Sequence, residues 1–352
     1  MKNTNLPHPL APTITKAASK QTYYTIRFLV DRDRTADAYR AYAYFRWVDD
    51  TLDADSPLLN CTGTIVRRGS RCQASRAEVD TCPPAQFRFG DNNGGQCQRA
   101  GERINFLNRQ KALLEKCYQG QSVQDATLEE QMLIGLVQHD HKKNSGLQSY
   151  LRNMMRVMEF DARRRGRLIS QAELNEYTLC LATAVTEALH YFIGNKSYAP
   201  HNETRYLAVT GAHIAHMLRD TFDDIQAGYY NIPREVLESN HLRPQDVQSR
   251  AYRAWVQSRV QLARKCFQSG KEYFTRVEEP RCRLAGFAYT ARFEWLLDTI
   301  AHENYLLRSA YPERKSLSTG LRMGLSILAT LINVRKRETL PQPVASRFLR
   351  KL

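Results

Sequence analysis

The sequence predicts an all-α protein. Apolar residues recur at helical spacing over most of the chain, and no alternating strand pattern competes with them. Glycine and proline interrupt the pattern at intervals and mark where helices end. The pattern predicts two helices within 15–53, separated near 30–33, and further helices at about 104–117, 127–139, 147–163, 171–193, 202–225, 244–276, 281–309 and 316–336.

The composition is that of a globular protein with an excess of positive charge. At 352 residues the chain is long enough for a large buried core, and 42% of its residues are hydrophobic. Its 51 basic and 36 acidic residues give a formal net charge of +15. The basic residues form no long run and no nucleic-acid-binding motif occurs, so we expect no nucleic-acid partner. The charge favours a phosphate-bearing ligand or a membrane surface instead.

Two stretches of the chain do not follow the helical pattern. Residues 1–15 carry three prolines and no apolar core, and we interpret them as a flexible tail rather than a secretory signal. From about 60 to 103 the chain is rich in Gly, Arg, Cys and Gln without a sustained period, which indicates an irregular insertion. We therefore predict one helical domain over 16–340, interrupted by this insertion, and a basic tail at 341–352.

The predicted location is the cytoplasm, because no secretory signal is recognised. The eight cysteines show no Cys-x-x-Cys spacing, and reduced thiols are expected rather than disulfides. The apolar stretch at 317–334 is interrupted by polar residues and is too short to span a membrane comfortably. Followed by Arg335-Lys336-Arg337, it suits either a peripheral contact with an anionic membrane or a final core helix with a basic end. The sequence leaves both open.

A first cluster of acidic residues follows an Ala- and Tyr-rich run that is predicted to be helical. It reads Arg46-Trp47-Val48-Asp49-Asp50-Thr51-Leu52-Asp53. On a helix Asp49 and Asp53 share one face, and Asp50 lies beside them. Like charges at that spacing cost an isolated helix roughly 0.2–0.5 kcal/mol per pair, so we expect a cation to offset the repulsion. If this were the only acidic cluster in the chain, a solvated helix face without a bound cation would be the alternative interpretation.

A second cluster repeats the arrangement further along the chain. It reads His216-Met217-Leu218-Arg219-Asp220-Thr221-Phe222-Asp223-Asp224. The spacing places His216, Asp220 and Asp224 on one helical stripe, with Asp223 alongside. Two such helices facing each other can hold Mg²⁺ through few carboxylates, with water and phosphate oxygens completing the coordination shell. One arginine in each cluster, Arg46 and Arg219, is placed to contact a diphosphate.

Taken together, the motifs resemble those of the squalene/phytoene synthase family, whose members join two prenyl diphosphates head to head. The resemblance covers nearly all of the chain outside the N-terminal tail and the insertion. It rests on the two acidic clusters and on Tyr42-Ala43-Tyr44-Phe45, Phe106-Leu107-Asn108-Arg109-Gln110-Lys111-Ala112-Leu113-Leu114, Met158-Glu159-Phe160-Asp161, Glu173-Leu174-Asn175-Glu176-Tyr177, Gly228 and Ile232-Pro233.

The resemblance implies a single-domain helical bundle of the class I isoprenoid (terpenoid) synthase type with a central cavity. It also implies a transferase that condenses two farnesyl or geranylgeranyl diphosphates, through a cyclopropyl diphosphate, to a linear squalene- or phytoene-type isoprenoid. Mg²⁺ is the expected metal, with Mn²⁺ as an alternative because imidazole at His216 suits a softer ion. NADPH is expected only if the product is reduced. The sequence predicts neither the chain length of the substrate nor the oligomeric state.

The resemblance also assigns roles to individual residues. Tyr177, Tyr42 and Arg46 are expected to take part in catalysis, although ordinary core aromatics with bonded hydroxyls remain the alternative for the two tyrosines. The expected metal ligands are Asp49, Asp50, Asp53, His216, Asp220, Asp223 and Asp224. The residues expected to contact the substrate diphosphate are Arg46, Lys20, Ser19, Thr22, Arg219 and Arg308.

Several positions depart from the family pattern. The family's N-terminal His-Ser-x-Ser-Phe lacks its histidine here, and the second motif opens with His216 in place of asparagine. The basic stretch and tyrosine that follow that motif in the family are replaced by residues that include Tyr229 and Asn231, and Phe293 replaces a C-terminal tyrosine. These losses keep two alternatives open: a non-catalytic relative that acts as an assembly factor or scaffold, and a terpene cyclase-like enzyme.

Overall fold

The computed structural model describes residues 10–53 and 93–312, with side chains for all of these except 93–100. The described residues form α-helices and short 3-10 turns, and no strand occurs among them, which confirms the predicted all-α class. The helices are α1 Leu10–Ala18, α2 Lys20–Leu29, α3 Thr35–Asp53, α4 Asn93–Tyr118, α5 Leu128–Gln138, α6 Gly146–Arg164, α7 Gln171–Phe192, α8 Leu207–Ala227, α9 Arg234–Ser239, α10 Arg250–Thr275 and α11 Pro280–His302.

Local hydrogen bonds determine where several of these helices begin and end. Thr127 and Ser170 start α5 and α7 with capping boxes, in which Glu130 and Glu173 bond back to the backbone N–H of the cap residue. Each such cap stabilises a helix by about 1 kcal/mol. The helix α8 ends at Gly228, whose φ of 84° favours glycine.

The break between α2 and α3 is also a tertiary contact. The backbone N–H of Asp31 donates to the carbonyl of Phe192 at 2.9 Å, and the Asp31 carboxylate accepts from the Gly194 N–H at 3.0 Å. Arg281, at the start of α11, pairs with the same carboxylate at 2.7 Å. The predicted separation near 30–33 is therefore held by the ends of two other helices.

Three hydrophobic clusters form the core of the described residues. The largest is built from α1 to α7 with parts of α10 and α11, and the second from α8, α10 and α11. A smaller cluster around Tyr177 lies between α6, α7 and α8, beside the acidic residues described below. The helices α8 and α10 approach closely, because a Cβ added at Gly270 would lie only 2.6 Å from the backbone nitrogen of Ala208.

The prediction of irregular structure is wrong for two short ranges. Residues 10–15 belong to α1 rather than to a flexible tail: Thr15 is fully buried, and its hydroxyl donates to the Ala11 carbonyl at 2.8 Å. Residues 93–103 belong to α4 rather than to the insertion, although no apolar period in that range signals a helix. Residues 1–9, 54–92 and 313–352 lie outside the described residues, with the rest of the insertion, the helix predicted at 316–336 and the basic tail.

Three predicted helices have different bounds in the structure. The helix predicted at 202–225 consists of a 3-10 turn, Glu203–Tyr206, followed by α8. The helix predicted from 244 begins only after Ser249, whose hydroxyl accepts from the Tyr252 N–H at 3.2 Å. The helix predicted to end at 309 ends at His302, because Asn304 and Tyr305 have positive φ angles of 53° and 62°.

The four cysteines whose side chains the structure describes, Cys117, Cys180, Cys266 and Cys282, are free thiols. Of the helices in the described ranges, none has both the length and the apolar character needed to span a membrane.

Candidate active site

The first acidic cluster forms the C-terminal end of α3 and is partly neutralised by its own arginine. Arg46 Nε donates to Asp50 Oδ2 at 3.0 Å, and Arg46 Nη1 donates to Asp49 Oδ2 at 3.2 Å. The side chain of Asp49 is 44% exposed, whereas Asp50 and Asp53 lie at the exposed end of the helix. The guanidinium predicted to bind diphosphate therefore contacts acids three and four residues along its own helix, a spacing that brings side chains together.

The second acidic cluster on α8 is neutralised in the same way. Arg219 binds Asp220 through two hydrogen bonds of 2.6 Å, and His216 Nδ1 lies 3.1 Å from the same carboxylate. Burial alone would raise the pKa of Asp220, but the bonds from His216 and Arg219 outweigh burial and hold that pKa well below its usual range. Asp220 is thus an ionised carboxylate with its charge already compensated. Asp223 is exposed on the neighbouring face.

A third acid, Asp161 on α6, lies between the two clusters. Its Oδ2 accepts a hydrogen bond from the Tyr177 hydroxyl at 2.9 Å, and its Oδ1 accepts one from Arg164 Nε at 2.7 Å. Sequence reasoning assigned no role to Asp161, although it ends one of the quoted motifs. Its spacing of three from Arg164 was the available signal, because such pairs meet on a helix.

Arg164 connects α6 to the exit of the second acidic cluster. Its side chain is only 7% exposed, and its Nη1 donates to Asn231 Oδ1 at 2.8 Å. Asn231 Nδ2 in turn donates to Asp224 Oδ2 at 2.6 Å. The guanidinium also lies 4.9 Å from the centroid of the Tyr229 ring. Tyr229 and Asn231, which depart from the family pattern, therefore take part in a buried network with Asp224.

Asp161 interacts electrostatically with acids of both clusters. Burial is the main cause that raises the pKa of Asp49 to about 6, and neighbouring acids that include Asp53 and Asp161 add to the rise. The pKa of Asp224 is also raised to about 6, first by burial and then by acids that include Asp161. Burial and Asp161 raise the pKa of Asp53 as well. Asp161 on α6 is therefore within electrostatic range of acids on both α3 and α8.

Comparison with known proteins identifies the family of this chain. A family model described as squalene/phytoene synthase matches residues 15–320. The chain belongs to the squalene/phytoene synthase family. The squalene synthase HpnC from Alicyclobacillus acidocaldarius is similar at 16% identity and a TM-score of 0.58, over 86% of this chain and 95% of that one. A dehydrosqualene synthase solved with a ligand is similar at 15% identity and a TM-score of 0.59, over 94% and 96%. No curated protein matches the chain significantly.

These likenesses confirm the isoprenoid synthase fold that the sequence predicted. At 15–16% identity they carry the fold alone.

In this squalene/phytoene synthase family member, Tyr177 lies at the inner side of the acidic site. It is buried, and burial together with Asp161 raises its pKa well above the usual range, so it remains a neutral phenol. The ring of Phe160 stacks on it at 4.7 Å, and the ring of His213 meets it edge-on at 5.0 Å. Burial lowers the pKa of His213 to about 3, which keeps the imidazole neutral. Aromatic rings therefore adjoin the acids, and the Arg164 guanidinium lies 5.0 Å from the centroid of the Tyr177 ring.

The predicted diphosphate contacts at the start of α2 lie on different faces of that helix. Ser19 and Thr22 are partly buried, and their hydroxyls lie 2.9 Å apart. Both hydroxyls lie near that of Tyr42 and lower its pKa, but burial outweighs them and the pKa is raised. Tyr42 precedes Arg46 by one helical turn, so these three hydroxyls adjoin the first acidic cluster. Lys20 is exposed and lies on the opposite face of α2 from Thr22.

Arg308 lies after the end of α11 rather than on it. Its Nε donates to Glu303 Oε2 at 2.7 Å, and its guanidinium lies 5.8 Å from the Tyr311 ring. In the structure, this predicted diphosphate contact is therefore engaged in an ion pair of its own.

The acidic residues fit Mg²⁺ as donors, provided that other ligands complete its shell. Within the ranges that the structure describes, no three or more His, Cys, Asp or Glu side chains are arranged to hold a metal ion. Mg²⁺ commonly binds through one or two carboxylates and keeps water and phosphate oxygens as its remaining ligands. Arg46 and Arg219 meanwhile supply the compensating charge. The carboxylates of the two clusters are thus donors of the type that Mg²⁺ takes.

Proposed function

We propose that this protein condenses two prenyl diphosphates head to head, through a cyclopropyl diphosphate, to a linear squalene- or phytoene-type isoprenoid, with Mg²⁺ and release of diphosphate. Family membership supports prenyl transfer of this general type. The observation that carries the proposal is that Asp161 lies within electrostatic range of acids on both α3 and α8, so the two acidic clusters lie near a common group. A scaffold has no use for so many acids beside one another, whereas a site for metal and diphosphate uses them as ligands.

The first step breaks the C–O bond of one substrate, and the electron pair leaves with the diphosphate. Bound Mg²⁺ would neutralise charge on the departing group. Arg46 and Arg219 stand next to the acids of both clusters and are donors of the kind that bind phosphate oxygens in pairs. If Mg²⁺ were bound by these carboxylates, Arg46 and Arg219 would be free to donate to the diphosphate instead of to their aspartates.

The second requirement is a surface that tolerates an allylic cation without reacting with it. The double bond of the second substrate captures that cation, and the new carbocation loses a proton to a base such as the released diphosphate as the cyclopropane ring closes. The cyclopropyl diphosphate then ionises with loss of its diphosphate, and the rearranged cation becomes the linear product by losing a proton or by accepting hydride from NADPH. Tyr177 and Phe160 place aromatic rings beside the acids, and aromatic rings attract cations, as the Arg164 guanidinium over both rings illustrates. His213 is neutral there and has no hydrogen-bond partner for its buried Nε2 among the described residues. The phenol of Tyr177 is held by Asp161, which keeps its proton away from the reacting carbons.

The test is a product assay on the purified protein. It is incubated with C15 and then C20 prenyl diphosphate and Mg²⁺, with and without NADPH, and released diphosphate and extracted hydrocarbon are both measured. We expect a linear C30 or C40 hydrocarbon. The variants Asp49→Asn and Asp220→Asn should abolish it, whereas Asp298→Asn, an exposed acid on α11, should not. The assay also determines chain length and whether the product is reduced.

Other products would contradict the proposal in distinct ways. Released diphosphate with short alcohols or cyclic hydrocarbons would indicate a cyclase-like enzyme. No turnover of either substrate, with Mn²⁺ also tried because of His216, would favour a non-catalytic assembly factor or scaffold.

A further inference from the structure

The outer face of α2 exposes aromatic and basic side chains together. Phe28 is 68% exposed, more than any other large hydrophobic side chain of the described residues, and Tyr24 is 48% exposed. Their rings stack at 6.1 Å with an interplanar angle of 10°. The Arg27 guanidinium lies 6.0 Å from the centroid of the Phe28 ring, and Lys20 is exposed one turn before Tyr24. Folding leaves this apolar surface in water, which normally costs free energy.

The charged side chains of α1 and α2 are all basic. The first 30 residues of the chain contain four basic side chains and no acidic one, since Asp31 is the first acid. Three of the four, Lys16, Lys20 and Arg27, are exposed on α1 and α2. Exposed aromatics with Lys and Arg on one helix face are typical of helices that lie in a membrane interface. A protein partner of mixed charge would not require so uniform a surface.

We propose that the outer face of α2, defined by Lys20, Tyr24, Arg27 and Phe28, docks the protein on an anionic phospholipid bilayer. The two rings enter the headgroup region, where aromatic side chains are favoured, and the basic groups contact lipid phosphates. The inner face of the same helix carries Thr22, beside Tyr42. If the proposed function holds, the bilayer is also where the apolar tails of the substrates reside. The docking surface itself does not depend on that chemistry.

The test measures binding of the full chain to vesicles, without substrate or metal, so that its outcome is independent of catalysis. Vesicles of phosphatidylcholine alone are compared with vesicles that also contain phosphatidylglycerol, by co-sedimentation at low and high salt. We expect binding to the anionic vesicles only, weakened by salt because surface charges are screened. Replacing Tyr24 and Phe28 by Ser should lower the partition coefficient at least about ten-fold, from the apolar area that no longer enters the bilayer.

Matched control variants distinguish vesicle binding by this face from nonspecific adsorption of exposed apolar side chains. Leu179 and Tyr198 are 59% and 63% exposed on other parts of the surface, and Leu179→Ser with Tyr198→Ser should leave vesicle binding unchanged. Arg27→Gln should weaken binding about five-fold, in line with one basic residue at an anionic surface. Circular dichroism checks that each variant is folded.

Three results would overturn the proposal. The first is absence of binding to anionic vesicles by the unaltered protein. The second is an equal loss of binding in the control variant and in the Tyr24/Phe28 variant, or no loss in either. The third is a dimer of the unaltered protein that dissociates when Tyr24 and Phe28 are replaced, which would show that a second copy of the chain covers this face.

Discussion

Replacing Arg164 by Gln should destabilise the protein by about 3–4 kcal/mol. The guanidinium is nearly inaccessible and bonds to Asp161 at 2.7 Å and to Asn231 at 2.8 Å. Breaking a buried ion pair by removing one partner costs about 3–5 kcal/mol, because the other charge stays behind. Asp161 is 27% exposed and recovers some hydration, which places the estimate toward the lower end of that range. Loss of the contact with the Tyr177 ring, at 5.0 Å, adds about 0.5–1 kcal/mol.

Two further variants test whether the loss of stability comes from the hydrogen bonds of Arg164 to Asp161 and Asn231 or from its charge alone. Arg164→Lys keeps the charge but has one donor centre, so it can hold only one of the two partners and should cost about half as much. Arg163→Gln removes a 59% exposed neighbour that pairs with Glu159, and it should cost less than about 1 kcal/mol. Urea unfolding, analysed with a common m value, gives the three free energies. An Arg164→Gln protein within about 1 kcal/mol of the original, or equal costs for Arg163 and Arg164, would refute the reasoning.

Three further predictions follow from the structure. Metal affinity should fall as pH drops through about 6, because Asp49 and Asp224 must lose their protons to bind a cation. Electron paramagnetic resonance of Mn²⁺ measures the affinity at each pH. Gly270→Ala should cost about 1–3 kcal/mol by overpacking α8, whereas Gly135→Ala, with no atom within 4 Å, should be neutral or slightly stabilising in thermal unfolding. His216→Asn should retain the fold and shift the metal preference from Mn²⁺ toward Mg²⁺ in the product assay.

Each of these three predictions has a result that would contradict it. Affinity for Mn²⁺ that does not change between about pH 5 and 7 would mean that the raised pKa values do not belong to metal ligands. Equal stability of the Gly270 and Gly135 variants would mean that α8 and α10 can separate without cost. An unchanged metal preference in His216→Asn would exclude the imidazole from the metal site.

The helices were predictable because their signals are local. Caps such as Ser170, followed three residues later by Glu173, lie within a few residues of the boundary that they set. The helical segments that were not predicted depend on contacts that no local sequence pattern indicates. Helix α1 follows a proline-rich start and packs against α3, and the start of α4 has no apolar period.

The candidate site was predictable only in part, for the same reason. Spacing by three and four identified Asp49, Asp53, Asp220 and Asp224, since those neighbours lie along one helix. The bridge from Arg164 to Asn231 joins residues 67 apart in the chain, and no local pattern predicts it.

Local spacing should, however, have predicted one further feature. Arg46 pairs with acids of its own cluster, three and four residues on. The pair between Arg219 and the adjacent Asp220 has no such signal, because residues one apart do not face each other on a helix.

The central claim is that acids from α3 and α8 act on one diphosphate. A double-mutant cycle with Asp49→Asn and Asp224→Asn tests it directly, by measuring the affinity of inorganic diphosphate in the presence of Mn²⁺ by titration calorimetry. If the two residues serve one site, each single variant should lose most of the affinity and the double variant should lose little more. Strictly additive losses, or two classes of diphosphate site that the single variants remove separately, would contradict the account.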